Sequence, residues 1–132
     1  MKKTIRILSV LCVCALLVTI AVSAAGETLK KTVSLKATQN EAVSGQSGGN
    51  TAYAKGSNNA GSAHNIGVAL QYSTGSGWKD FEAINTIPPG KSDLTSRHGS
   101  TTVDYLFRVK LWVPGIQIGN PGCIGTGYLY VA

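Results

Sequence analysis

The side chains best equipped for chemistry are few: two histidines, six carboxylates, two tryptophans and three cysteines in 132 residues. His64 and His98 both fall in polar stretches rich in glycine and serine. A Ser–His–Asp triad can be composed on paper from His98, Asp93 or Asp104 and one of many serines, but triads are defined by geometry, not composition. Solvated loop histidines are the simpler reading. Asp80 and Glu82 stand two apart on one strand face, whereas an acid–base pair must oppose across a cleft. They read as charges guarding a sheet edge. A single cysteine beyond the apolar N-terminal stretch and two dispersed histidines give no zinc spacing. Asp80, Asp93 and Asp104 are too scattered for a calcium loop, and no Gly-x-x-x-x-Gly-Lys phosphate loop occurs. No catalytic residue, metal or cofactor is expected.

The aromatic residues say more. Trp112 falls on the polar side of an alternating segment, Thr101 to Val113, in register with Arg108 and Lys110. The side taken by Trp78 depends on the turn before it. A two-residue turn at Gly75-Ser76 sets it beside Ser73 on the outer face; a longer turn pairs it with Tyr72 on the core side. With both tryptophans outside, Trp78, Trp112, Arg108 and Lys110 form a candidate ligand-binding set, a platform for a sugar ring or a protein partner. The competing reading covers Trp112 with a loop or places it in the core of a second sheet, since large aromatics are mostly buried.

These residues need a scaffold, and its composition is distinctive. Charged residues make up only 14% of the chain and glycine fills 16 positions. That excludes a charge-driven disordered chain, and the length fits one domain rather than two. The formal charge of +6 points first to anionic partners. However, Lys2, Lys3 and Arg6 precede a largely apolar run from Ile7 to Ile20 broken by Ser9 and Thr19, and small residues follow at Val22 to Ala25. This is the order of a secretory signal peptide over residues 1–25, with a folded domain over 26–132. Retained, the segment is long enough to anchor the chain in a membrane, with the domain still outside the cell. Its removal leaves nine basic residues against six acidic ones, a formal +3. Nucleic-acid binding then has little support, because Lys30 and Lys36 extend into no basic stripe.

Cys12 and Cys14 lie within the apolar run, which leaves Cys123 as the lone cysteine of the domain. An intermolecular disulfide, and so an oligomer, is one reading of an odd cysteine in an exported chain. A small buried hydrophobe is the favoured one.

Period-two alternation dominates the rest. Val33, Leu35 and Ala37 share one face of a strand over Leu29 to Ala37. Ser44 to His64, rich in Gly, Ser and Asn, reads as a long loop around a short strand at Thr51 to Lys55. Asn65 to Phe81 reads as a hairpin turning at Thr74 to Gly77, and Pro88-Pro89 must end a strand. Lys91 to Ser100 reads as a polar loop. From Val103 to Val113 six apolar residues make one inward face; at about 1.5–3 kcal/mol for each buried side chain this is the central strand. Tyr128 to Val131 closes the chain as a last strand. No window has a helical period, so the fold class is all-β: a single antiparallel β-sandwich of six to eight strands.

Two stretches carry a family resemblance. Val68-Ala69-Leu70-Gln71-Tyr72-Ser73-Thr74 followed by Gly77-Trp78 is similar to the central hairpin of fibronectin type III and related immunoglobulin-like domains. Tyr105-Leu106-Phe107-Arg108-Val109 resembles that family's Tyr-x-Phe-Arg-Val strand. The resemblance is confined to hairpin 68–78 and strand 105–109, and it implies a binding or spacer module by analogy of fold.

The expected protein is therefore a small, secreted, non-enzymatic bacterial domain, extracellular or periplasmic, that meets a protein or carbohydrate partner outside the cell. A secreted antimicrobial or toxin-like protein and a self-assembling matrix protein are the rival expectations.

Overall fold

A computed structural model describes residues 28–92, 97–115 and 119–132, with Arg97 and His98 described by backbone alone. The segment assigned to export, 1–25, lies outside the described residues, as does Asp93. Seven strands form the fold: β1 (Thr28–Leu35), β2 (Glu41–Val43), β3 (Ser47–Asn58), β4 (Ile66–Ser73), β5 (Trp78–Ile87), β6 (Arg97–Trp112) and β7 (Gly125–Val131). All are antiparallel and hydrogen-bonded in the order β1-β7-β3-β6-β4-β5, with β2 also beside β6. The described residues are all-β, as the alternation requires.

β6 is the longest strand and serves three neighbours, β3, β4 and β2. Residues 97–100 pair with Thr51 to Ala54 of β3, while residues 106–112 pair with β4. Between these stretches the β3 pairing jumps from Gly49↔Tyr105 to Thr51↔Ser100, so residues 101–104 bulge from the ladder. The bulge corrects the expected inward face. Phe107, Val109, Leu111 and Val113 are buried, but Val103 lies in the bulge and is 56% exposed.

The core joins both halves of the sheet. Leu35, Ala52, Ala54, Leu129 and Val131 from β1, β3 and β7 pack with Val68, Leu70, Phe107, Val109 and Leu111 from β4 and β6. The expected loop at 44–64 is mostly strand. β3 runs for 12 residues and buries Ala52, Ala54, Gly56 and Asn58 in strict alternation. Its inward residues are small because the opposite side is close: a Cβ on Gly56 would stand 2.9 Å from Val68 Cβ. Period two is present there, written in small residues rather than large apolar ones.

β4 and β5 form the expected hairpin, with Gly75 and Gly77 at φ of 109° and 113° in its turn. β5 ends at Ile87, directly before the two prolines. Cys123 is buried, its Sγ 3.5 Å from the His64 carbonyl oxygen. A disulfide to another chain would require this corner to open.

Candidate functional site

The hairpin register decides where Trp78 lies. Ser73 stands opposite Trp78 and Gln71 opposite Asp80. On its other side β4 sets Ser73 against Leu106, Gln71 against Arg108, Ala69 against Lys110 and Gly67 against Trp112. Directly opposed residues share a face, so Trp78, Arg108, Lys110 and Trp112 all lie on one outer face. The structure thus brings the four candidate residues together on a single surface.

Their contacts form a cross-strand ladder. The Arg108 guanidinium lies 4.3 Å from the centre of the Trp78 ring. Arg108 Nε donates to Gln71 Oε1 at 2.8 Å, and Gln71 Nε2 donates to Asp80 Oδ1 at 2.7 Å. One rung further, Lys110 Nζ is 5.9 Å from the centre of the Trp112 ring and 3.3 Å from Glu41 Oε2. The Trp112 indole packs against Gly67, where any Cβ would run into the ring. Glycine there lets the ring settle on the sheet instead of standing away from it. Ala69, fully buried, forms the floor between the two rungs.

The two tryptophans are not adjacent. Trp78 shares a row with Leu106 and Trp112 lies six residues further along β6, about 20 Å at strand rise. A single two-ring platform is therefore replaced by a strip with an indole at each end and paired charges between. Beside the Trp112 end opens a groove of about 620 Å³, bounded by Asn40, Glu41, Asp80, Lys110, Trp112 and Pro114 among others.

Sequence reasoning did not place Gln71, Asp80 and Glu41 in this surface. The first two were within reach, since the register that sets Ser73 against Trp78 also sets Gln71 against Asp80. Glu41 arrives on the short β2, opposite Trp112, and no periodicity announces a three-residue strand.

Other candidate chemistry stays dispersed. His64 and Asp104 are exposed, and the side chain of His98 lies outside the described residues. Asp80 and Glu82 do not share one opposing face, because a bulge sets them against Gln71 and Leu70. Gly45-Gln46-Ser47-Gly48-Gly49 has the Gly-x-Ser-x-Gly spacing of a nucleophile elbow, which needs a strand-to-helix turn. Ser47 instead opens β3 opposite Phe107. Among the described residues, no three His, Cys, Asp or Glu side chains gather as metal ligands.

No protein-family model matches the chain, and no curated protein or solved structure is significantly similar to it. The functional reading therefore rests on the ladder itself. It comprises two indoles, two cations and two carboxylates, linked by contacts across and along the strands.

Proposed function

We propose that this chain is an exported, non-enzymatic β-sandwich domain, residues 26–132 behind a signal peptide over 1–25, that binds an extended cell-surface polysaccharide along the outer face of β4 and β6. The observation that carries this reading is the ladder Trp78–Arg108–Gln71–Asp80, continued by Lys110–Glu41 and Trp112. Sugar hydroxyls both donate and accept, and the ladder alternates donors with acceptors. Sugar rings also present an apolar face that stacks on an indole, and the strip has one at each end. Because the cross-strand bonds already fix the polar groups, binding costs little further side-chain ordering.

The sandwich reading is supported by the packing of β1, β3 and β7 residues against β4 and β6 across one core. Export is supported by the basic, apolar and small-residue order of the first 25 residues.

The test is retention of the protein on insoluble cell-surface polysaccharide. Trp112→Ala and Gln71→Leu should keep a cooperative thermal transition and weaken retention, the former by roughly tenfold or more. Undiminished retention of both folded variants would overturn the proposal.

A further inference from the structure

The groove beside Trp112 holds a polar group that the fold leaves unused. Asn40 stands immediately before β2, and its carbonyl oxygen accepts from the Val113 N–H at 2.9 Å. That bond sets the residue beside the end of β6, where it lines the groove with Lys110, Trp112 and Pro114. Its side-chain Oδ1 is shielded from solvent and accepts no hydrogen bond among the described residues. A buried acceptor without a donor is unfavourable, and a ligand that brings the donor recovers that loss. Asn58 Oδ1 is also unpartnered, but two bonds from Nδ2 pin the Asn58 amide, and it does not line the groove. No such bond holds the Asn40 amide among the described residues, so a turn about Cβ–Cγ brings its oxygen to the groove.

The surrounding groups narrow the ligand. The ladder is electrically balanced, Arg108 and Lys110 against Asp80 and Glu41, so it has no net attraction for a charged polymer. A neutral sugar chain offers two kinds of donor, hydroxyls and the N–H of an acetamido group. A hydroxyl would satisfy Asn40 Oδ1 but leave the apolar surface of Trp112 and Pro114, both half-buried, without a partner. An acetamido group carries a donor, an acceptor and a methyl on one planar unit. The groove's volume, about 620 Å³, falls in the range of small-ligand sites.

We infer that the groove is the subsite for an acetamido group, and that the polysaccharide read by the ladder is a neutral chain of acetamido sugars. The acetamido N–H donates to Asn40 Oδ1, its carbonyl accepts from Lys110 Nζ, and its methyl packs against Trp112 and Pro114. The inference rests on the ladder reading and deepens it: the ladder holds the chain, and the groove selects the substituent. A chain that also bears carboxylates is disfavoured, because Asp80 and Glu41 line the same groove.

The experiment titrates protein recovered from the medium or periplasm of expressing cells, by calorimetry, with oligosaccharides of equal length. The probes are acetylated chito-oligosaccharide, its deacetylated form, cello-oligosaccharide, and peptidoglycan glycan strands freed of peptide, which bear lactyl carboxylates. The acetylated chito- and cello-oligosaccharides share backbone and linkage and differ only in acetamido against hydroxyl. The acetylated chain should bind about tenfold more tightly than the cello-oligosaccharide, and more tightly than the other two probes. Asn40→Leu and Asn40→Ala should abolish that preference and leave cello-oligosaccharide affinity unchanged. Neither should lower the thermal midpoint, because no side-chain hydrogen bond is lost. Trp112→Ala should weaken both chains. Equal binding of the two chains by the unsubstituted protein would overturn the inference and leave the ladder reading standing, whereas binding of neither would remove both. A preference that survives in both Asn40 variants would also overturn it. Tighter binding of the deacetylated chain or of the glycan strands would do the same, assigning the groove to an ammonium or a carboxylate.

Discussion

Gln71 shows how one residue turns strand pairing into a surface. Its amide accepts from Arg108 and donates to Asp80, so one side chain ties β4 to both neighbours. Gln71→Leu removes both bonds of a buried side chain, and should cost about 1–3 kcal/mol in urea unfolding. The loss should shrink in an Arg108→Ala background, where one partner is already gone. Asn58 plays the matching role at the far end of β3. Its Nδ2 donates to the His64 and Ile87 carbonyl oxygens, both at 2.9 Å, tying the loop after β3 to the end of β5. Asn58→Leu leaves two carbonyls without that donor and should cost about 2–5 kcal/mol by equilibrium unfolding. Trp112 depends on a neighbour with no side chain. Gly67→Ala places a methyl where the indole lies and should destabilise the fold by about 1–3 kcal/mol while shifting tryptophan emission; an unchanged emission spectrum would show that the ring does not rest there.

At the scale of elements, what could be read from the sequence depended on how each strand spells its inward face. β6 and β4 spell it with Val, Leu and Phe, and their faces were legible from alternation alone. β3 spells it with Ala52, Ala54, Gly56 and Asn58 and reads from sequence largely as loop, because hydrophobic periodicity measures size as well as position. Only the packing of Val68 and Leu111 against Gly56 gives these small residues their reason. Gly56→Val, which raises β propensity, should nevertheless destabilise the protein by about 1–3 kcal/mol in thermal or urea unfolding. The corner at 101–104 was equally hidden, since alternation continues through Val103 although the ladder does not. The hairpin turn was legible because its glycines are needed: Gly75→Ala or Gly77→Ala, each at positive φ, should cost about 1–3 kcal/mol.

For the whole molecule, net charge was a poor guide and its distribution a better one. The formal +6 includes three cations within residues 1–25, and among the described residues β1, β3 and β7 carry three lysines and no carboxylate. Arg108, Lys110 and Trp112 were legible as one face from alternation, whereas the side of Trp78 hung on the turn before it and is fixed only by the register Ser73↔Trp78. The spacing of the two tryptophan rows, about 20 Å at strand rise, was not legible either, because it depends on how β5, β4 and β6 are staggered. Both tryptophans of the chain lie in that surface, so intrinsic tryptophan emission reports on it directly. The decisive measurement is emission during titration with neutral cell-surface oligosaccharides. The account predicts a saturable shift that is reduced in Trp112→Ala and in Trp78→Phe. Oligosaccharide binding detected by calorimetry with no change in emission would contradict it.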